Sequence, residues 1–342
     1  MTGTRPTGAG AYPRRIGPFE VPAIGLGCMN LSHAYGVPPT TAEAERLLLT
    51  ALDEGVTHFD TAALYGFGAN EELLGRALAG HRDRIVLASK CGMTGVDGQR
   101  TIDGRPETIR RTADEALARL RTDVIDIYYL HRLDRKVPVE ESIGAMAELV
   151  TAGKVRALGL SEVSATTLRR AHAVHPIAAL QNEYSLWTRN PEEGTLAATR
   201  ELGIALVAFS PLARGVLTDA PPDPGTLPQG DIRRSMPRFD TRHYPANLAR
   251  RAELALLAKW ADVSLARLAL AWVMSRGPHV VALPGTRSVA HLRENLSVLD
   301  LDVPAEVLAA AGRILDAGTV RGLRYNEATL TEIDTERCGR AG

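Results

Sequence analysis

The chain has no excess charge of either sign, few cysteines and no long apolar run. Its 342 residues carry 40 basic and 40 acidic side chains, so no positive field is available to attract nucleic acid or an anionic lipid surface. No apolar run approaches the roughly 20 residues that a membrane-spanning helix needs. The three cysteines (Cys28, Cys91 and Cys338) lack metal-ligand spacing, and their odd number is typical of a reducing cytoplasm. We therefore expect a cytoplasmic monomer or homo-oligomer that binds no metal, nucleic acid or membrane.

Several short motifs that would indicate a function class are also missing. GLG at residues 25–27 and GFG at residues 66–68 both fail at the third glycine of a Rossmann fingerprint. HRLD at residues 131–134 has no accompanying glycine-rich loop or Asp-Phe-Gly, so it does not predict a kinase, and no Gly-x-Ser-x-Gly predicts a hydrolase. A metal-dependent barrel hydrolase needs clusters of metal ligands at its strand ends. Only His131 qualifies as such a ligand, so the sequence does not favour this class of enzyme.

What the sequence does contain is a regular alternation of apolar strands and amphipathic helices. This pattern predicts parallel βαβ units, hence an α/β fold. The number of predicted strands and the chain length favour a closed (β/α)8 TIM barrel over an open doubly wound sheet. A Gly-Pro turn at residues 17–18 predicts an N-terminal β-hairpin ahead of the barrel. The eight predicted strands are residues 23–28, 56–59, 85–89, 124–130, 155–160, 177–181, 204–209 and 279–283.

The other segments are predicted to be the loops and ends of one barrel domain that spans residues 1–342. Residues 1–14 have no apolar segment, which predicts a flexible leader rather than a signal peptide. Residues 211–246 hold seven of the twenty prolines and little periodicity, which is typical of a long binding loop or lid. Residues 318–342 are predicted to form a polar C-terminal tail. We expect the long loops to lie at the C-terminal face of the barrel.

Four chemically active side chains lie at or just beyond the ends of three consecutive predicted strands. Asp60 and Tyr65 follow the strand at 56–59, Lys90 is one of only four lysines, and His131 follows the strand at 124–130. Barrel enzymes place their chemistry at such strand ends. An ammonium group stabilises a nearby phenolate, and lowering a tyrosine pKa by ~2 units requires about 2.7 kcal/mol. The set predicts that Asp60 and Lys90 tune Tyr65 as an acid, while His131 orients an oxygen that gains negative charge, such as a carbonyl under hydride attack.

Taken one at a time, the four residues also fit structural roles. Asp60 can cap a turn, Lys90 can form an internal salt bridge, and Tyr65 can form an amphipathic wall. A lone histidine such as His131 is more often a satisfied core residue than a catalyst. Their shared position at the ends of successive strands is what favours catalysis.

The order of the motifs resembles that of the aldo-keto reductase family, in its bacterial and plant branch. The resemblance spans roughly residues 16–300 and implies an NADP(H)-dependent oxidoreductase. It would reduce a small-molecule aldehyde or ketone to an alcohol, with Tyr65 as the general acid. The alternative is a nicotinamide-binding regulatory or scaffold subunit with little turnover, like the β-subunits of voltage-gated potassium channels. The matching motifs are FDTAALYG (59–66), SK (89–90), YLHRLD (129–134), GLS (159–161), QNEY (181–184), FSPLARG (209–215) and PGTRSVAHLREN (284–295).

The resemblance also implies a binding site for NADPH or NADP+. Ser161 and Gln181 would hold the nicotinamide carboxamide, and Phe209 would stack on the nicotinamide ring. The segment at 284–288 leads into a helix N-terminus, a natural anion site, where Arg287 would supply a fork for a 2′-phosphate. Ser210, Leu212 and Arg214 would meet the pyrophosphate, the last as a cation. The complete implied set is Gly27, Cys28, Met29, Ser161, Gln181, Phe209, Ser210, Leu212, Arg214, Gly285, Thr286, Arg287, His291, Glu294 and Asn295.

Three positions depart from the usual family pattern. Phe209 stands where many members have tyrosine, which keeps the stacking surface and loses a hydroxyl. Glu162 stands where many have asparagine, and its carboxylate can still accept from a carboxamide NH2. His291 stands where other branches often have a basic residue, which weakens the preference for NADP over NAD.

The predicted specificity loops are residues 29–39, 133–138 and 213–245 and the tail after residue 319. Five large apolar and aromatic side chains, in these loops and elsewhere, are expected to line the mouth of the barrel, and they predict a bulky or aromatic carbonyl substrate. They are Met29, Tyr35, Leu64, Trp187 and Tyr244.

Overall fold

The computed structural model describes residues 13–96 and 99–335. It begins with the predicted hairpin, in which β1 (Arg14–Ile16) pairs antiparallel with β2 (Phe19–Val21). Most of the predicted leader lies outside the described residues. At Arg14 that prediction is wrong, because this residue starts β1 and its side chain is buried.

Eight parallel strands then form one sheet in sequence order, which confirms the predicted fold class. The first strand returns to the last: the Gly25 amide donates to the Ala282 carbonyl at 2.9 Å, and the Ala282 amide donates to the Ala23 carbonyl at 2.9 Å. The hairpin formed by β6 (Met93–Val96) and β7 (Gln99–Ile102), which interrupts the alternation, was not predicted. In chain order the strands are β3 (Leu26–Gly27), β4 (His58–Asp60), β5 (Val86–Cys91), the hairpin strands β6 (Met93–Val96) and β7 (Gln99–Ile102), β8 (Ile125–Leu130), β9 (Val155–Ser161), β10 (Ile177–Glu183), β11 (Ala205–Phe209) and β12 (Val280–Leu283).

Helices cover the outer face of the barrel. The first is fixed by a capping box, in which the Thr40 hydroxyl accepts from the Glu43 amide and the Glu43 carboxylate accepts from the Thr40 amide. The bounds of α3 and α4 coincide with the apolar periodicity at 106–120 and 139–151. The helices are α1 (Thr41–Asp53), α2 (Ala69–Leu78), α3 (Pro106–Leu120), α4 (Val139–Thr151), α5 (Ala165–Val174), α6 (Thr195–Glu201), α7 (Tyr244–Trp260), α8 (Leu265–Met274), α9 (Val289–Leu296), α10 (Ala305–Ile314) and the short α11 (Glu327–Leu330).

The barrel interior is filled from its N-terminal end. Ile16 and Val21 of the hairpin pack against inward-facing residues of the sheet and close that end. Higher up, the Tyr129 ring occupies the interior opposite Gly159, where a Cβ would lie 2.3 Å from the ring. Glycine is required there because the ring takes the space of a side chain. The interior can therefore open only towards the C-terminal ends of the strands.

Two chain segments at that end differ from simple loops. The loop over residues 211–246 contains several short 3-10 turns, and α7 begins at Tyr244, inside the predicted bounds. The predicted polar tail is partly buried, since the side chains of Arg324 and Tyr325 pack into the protein. Among residues 13–96 and 99–335, no helix has the length and apolarity needed to cross a bilayer.

Candidate active site

A cavity of about 1210 Å3 lies at the C-terminal end of the barrel. Asp60 ends β4, Tyr65 begins the 3-10 turn that follows it, and His131 follows β8; all three line this cavity. Lys90, near the end of β5, lies beneath them with its side chain fully buried. The structure thus brings together the four residues that the sequence singled out, on consecutive parallel strands.

The Lys90 ammonium group has three hydrogen-bond acceptors, one for each of its protons. It donates to Asp60 Oδ1, to the Thr61 carbonyl at 2.8 Å and to the Tyr65 hydroxyl oxygen at 3.1 Å. Since the Tyr65 oxygen accepts from Lys90, its own proton must point elsewhere. The tyrosine lies on the cavity wall, so this proton is available to a molecule in the cavity.

Burial and charge act in opposite directions on this pair. Burial alone would lower the pKa of Lys90, but Asp60 and then Tyr65 outweigh it and hold the pKa above its ordinary value. Burial raises the pKa of Tyr65, and the Lys90 charge opposes this without cancelling it. The sequence led us to expect a Tyr65 pKa below its ordinary value, and that expectation is wrong for this structure. The contribution of Lys90 has the expected sign, but burial of the phenol is the larger effect.

Asp60 is held from both sides. Its Oδ1 accepts from Lys90, and its Oδ2 accepts from Gln181 Nε2 at 2.7 Å. Because the Gln181 amino group is used in this way, the Oε1 atom of the same side chain is the one that can accept from a molecule in the cavity. Gln181 therefore connects the charged pair to the predicted nicotinamide end of the site.

His131 is a buried, neutral imidazole next to the phenol. Its ring packs edge-to-face against Tyr65, with the ring centroids 5.9 Å apart. Burial, and then the positive charges of Arg132, Lys90 and Arg100, hold the pKa of His131 well below its ordinary value. Its Nδ1 is buried and has no partner among the described residues. A buried N–H without an acceptor is rare, so the tautomer with the proton on Nε2 is favoured, which makes Nε2–H a donor.

Most residues of the implied cofactor site lie on the walls of this one cavity. The residues at strand ends lie near Asp60, Tyr65 and His131, whereas the residues after β12 belong to the segment that leads into α9 and to α9 itself. Their contacts with a cofactor remain predictions. The lining members of the set are Gly27, Met29, Ser161, Gln181, Phe209, Ser210, Leu212, Arg214, Gly285, Thr286, Arg287, His291, Glu294 and Asn295.

Cys28 is not among the residues that line the cavity, and its predicted contact with a cofactor stays a prediction. Its side chain is fully buried, with Sγ within 3.5 Å of the Leu26 carbonyl, and its amide donates to the Asp60 carbonyl at 2.9 Å. The Sγ, amide and carbonyl groups of Cys28 therefore all have partners inside the protein. Its neighbours Gly27 and Met29 do reach the cavity.

The guanidinium of Arg214 already has hydrogen-bond acceptors inside the protein, and its predicted contact with a pyrophosphate stays a prediction. It donates to Glu183 at 2.6 Å and to the hydroxyl oxygens of Tyr325 and Tyr35 at 2.8 Å each. The second carboxylate oxygen of Glu183 accepts from the Thr188 hydroxyl at 3.0 Å. Arg214 thus joins loops around the cavity, although its side chain still forms part of the wall.

The far end of the cavity has the features of an anion site. Ser288 caps α9 by accepting from the His291 amide at 3.4 Å. The two amides ahead of His291 in the first turn of the helix have no acceptors within the helix. The neighbouring Arg287 reaches across to the Val37 carbonyl with one guanidinium nitrogen. Its remaining guanidinium N–H groups have no hydrogen-bond partner among the described residues.

At the predicted substrate mouth, the structure confirms the placement of some residues and corrects others. Met29, Tyr35 and Leu64 line the cavity. Trp187 and Tyr244 do not, because both are buried in the packing beneath the loops. Sequence reasoning missed Tyr325, which lines the cavity from the C-terminal tail, and no local pattern around it signals that position.

The sequence model of the aldo/keto reductase family matches residues 23–316. The chain belongs to this family. It is 40% identical over 328 residues to an aldo-keto reductase of Schizosaccharomyces pombe whose name specifies NADP(+), covering 94% of this chain and 96% of that protein. It is 39% identical to a probable aldo-keto reductase of Glycine max, covering 93% of each.

Solved structures of family members share the fold. The glycerol dehydrogenase of Gluconobacter oxydans superimposes with a TM-score of 0.81 at 30% identity, over 90% of this chain and 96% of that one. An aldo/keto reductase from Klebsiella pneumoniae, in complex with NADP and acetate, superimposes with a TM-score of 0.67 at 28% identity, over 90% and 95%.

Proposed function

We propose that this aldo/keto reductase uses NADPH to reduce an aldehyde or ketone to an alcohol, with Tyr65 as the general acid. The observation that carries the proposal is the bonding of Lys90. All three of its protons are used, one of them on the Tyr65 oxygen, so the phenol is oriented towards the cavity and its conjugate base is stabilised. The names of the fission-yeast relative and of the Klebsiella complex support NADP as the cofactor.

The cavity offers suitable partners for such a cofactor. Gln181 Oε1 can accept from a carboxamide NH2. The Asn30 Oδ1 atom is buried without a partner among the described residues, and its side chain lines the cavity, so it is a second acceptor awaiting a donor. Phe209 supplies an aromatic wall, and Arg287 with the α9 amides suits phosphate. The bound cofactor would supply a hydride to the carbonyl carbon.

Residues of the chain would orient and protonate the carbonyl oxygen of the substrate. The proton on Tyr65 moves to the carbonyl oxygen as that atom gains electrons, and the tyrosine becomes a phenolate. The Lys90 ammonium, 3.1 Å away, stabilises the phenolate, and Asp60 keeps that ammonium charged and in place. His131 donates from Nε2 to the same carbonyl oxygen and orients it. A proton from solvent then restores the phenol.

A carbonyl panel tests this function. Purified protein is mixed with NADPH and with aldehydes or ketones of increasing size, and oxidation of NADPH is followed by absorbance. Tyr65→Phe should bind NADPH, measured by fluorescence titration, while losing nearly all turnover. Tyr128→Phe is the matched control, since it removes a buried hydroxyl from β8 that does not line the cavity. Turnover retained by Tyr65→Phe would contradict the mechanism.

A further inference from the structure

Four buried charged side chains form a closed cluster beside the active-site cavity. We call them the charge cluster: Glu162, Glu183, Arg214 and Arg324. Arg324 donates to Glu162 through both terminal nitrogens, at 3.0 and 2.5 Å, and to Glu183 at 3.4 Å. Arg214 donates to Glu183 at 2.6 Å. The two positive and two negative charges balance, and the exposed fraction of these side chains is 6% or less.

Glu162 faces away from the cavity, although it directly follows Ser161, which lines it. Its residue is fully buried and is not part of the cavity wall. The backbone of Glu162 has a φ of +55°, a conformation that non-glycine residues adopt uncommonly, and it turns the carboxylate towards Arg324. One carboxylate oxygen also accepts from the Glu183 amide at 2.9 Å. The Glu162 carboxylate is therefore engaged in contacts inside the protein.

Arg324 belongs to the C-terminal segment, residues 321–335, and the next residue is part of the cavity wall. The Tyr325 ring lies beside both arginines of the cluster, 5.2 Å from Arg214 and 4.9 Å from Arg324. Its hydroxyl accepts from Arg214 at 2.8 Å. The position of this wall residue thus depends on where the cluster holds the segment.

The same segment is attached at its end to the residues that surround Glu162. The Asp334 amide donates to the Glu162 carbonyl at 2.9 Å, and the Asp334 carboxylate accepts from the Thr167 hydroxyl at 2.6 Å. Between these anchors, Glu332 pairs with Arg100 at 2.6 Å, and both Arg100 and Thr329 line the cavity. The segment therefore runs along the cavity from Tyr325 towards the hairpin β6–β7.

We propose that Glu162 is a positioning residue, whose ion pair with Arg324 holds the C-terminal segment as a wall of the substrate pocket. The selection of bulky carbonyl substrates, rather than cofactor affinity, depends on this pair. The second statement rests on the proposed reductase function, whereas the docking of the segment does not.

The test uses the full chain with Arg324→Gln, Arg324→Lys, Glu162→Gln and the double variant Glu162→Gln/Arg324→Gln. Either single glutamine variant leaves the charge cluster with one uncompensated buried charge, whereas the double variant removes one charge of each sign. Arg321→Gln is the matched control, because Arg321 is an exposed arginine of the same segment. Hydrogen exchange of residues 321–335 is measured by mass spectrometry, NADPH affinity by fluorescence titration, and KM with propanal and with a naphthaldehyde.

In Arg324→Gln and Glu162→Gln we expect exchange in the segment to accelerate by about tenfold or more, since a broken buried pair is costly. The double variant should exchange more slowly than either single variant, and Arg324→Lys should lie between wild type and Arg324→Gln. KM for the naphthaldehyde should rise by roughly five- to tenfold with little change for propanal, because the small substrate does not need the wall. NADPH affinity and kcat with propanal should stay near wild type.

The opposite pattern overturns the proposal. If Glu162→Gln weakens NADPH binding about tenfold while exchange of the segment is unchanged, Glu162 contacts the cofactor. If both single glutamine variants fail to fold, Arg324→Lys and the double variant still decide, and unchanged exchange in both contradicts docking. Failure of the reductase function would appear separately, as an absence of turnover in the wild-type protein, while the exchange measurement remains interpretable.

Discussion

Replacing Lys90 with methionine removes one charge and three hydrogen bonds at nearly constant volume. The ammonium lies 3.1 Å from the Tyr65 oxygen, where two unit charges attract by about 5 kcal/mol at an effective dielectric constant of about 20. The tyrosine carries only part of a negative charge in the transition state. We therefore expect the barrier to rise by about 3 kcal/mol, which lowers kcat by roughly 100-fold.

A double-mutant cycle shows whether this loss acts through the phenol. Lys90→Met, Tyr65→Phe and the double variant are compared by kcat under saturating NADPH and carbonyl. If Lys90 works by stabilising the Tyr65 phenolate, the double variant should be about as slow as Tyr65→Phe alone, because residues that act as a unit are not additive. Losses that multiply in the double variant would refute the reasoning.

Stability must be measured beside activity. Without Lys90, Asp60 keeps the hydrogen bond from Gln181 but loses its only ion pair among the described residues. Breaking a buried pair in this way costs about 3–5 kcal/mol of the free energy of unfolding, which urea titration can detect. Lys154→Met is the matched control: its pair with Asp114 is largely exposed, so the expected cost is below about 1 kcal/mol.

Three further predictions follow from the same geometry. Because burial raises the pKa of Tyr65, its acid form persists as pH rises, and the rate of reduction should fall only above pH ~10. Because the pKa of His131 lies well below its ordinary value, the pH–rate profile should show no inflection from a histidine near pH ~6.5. Arg287→Gln should weaken NADPH binding by roughly 10- to 100-fold and leave NADH nearly unchanged; equal losses for both in titration would place Arg287 away from the 2′-phosphate. Gly159→Ala puts a Cβ 2.3 Å from the Tyr129 ring and should destabilise the barrel by about 1–3 kcal/mol; an unchanged melting temperature would mean that the ring has room to move.

The fold was predictable because its signals are local and repeated. Pro106 opens α3 at the first helical position and Gly153 follows the end of α4, so periodicity and terminators agree at both helices. Asn70 shows where local reasoning fails, because an asparagine just ahead of an apolar helical pattern predicts an N-cap for α2. Asn70 lies inside the helix, and its amide donates to the Cys28 carbonyl and the Ser32 hydroxyl at 2.9 Å each. Those partners are about forty residues away along the chain, and no cap rule contains them.

The grouping of Asp60, Tyr65, Lys90 and His131 was predictable for a related reason, and the charge cluster was not. Parallel strands bring their C-terminal ends to one edge, so residues that end successive strands must lie together. Arg214 and Arg324 do not follow this rule. Arg214 lies in a long loop and Arg324 in the C-terminal tail, and local sequence patterns do not determine the paths of these segments. The sequence therefore does not show that both arginines pair with Glu183.

Backbone conformation just beyond the strand ends explains why a motif carried over as a block included residues that do not line the cavity. Cys28 follows β3 with helical φ and ψ angles, and Glu162 follows β9 with a φ of +55°. Gly27 and Met29 line the cavity while Cys28 points away, and Ser161 lines it while Glu162 turns towards the tail. In both places the immediate neighbour of a wall residue belongs to the packing behind the wall. The chemistry of such a neighbour is then set by the segment that packs there, and for Glu162 that segment is the C-terminal one.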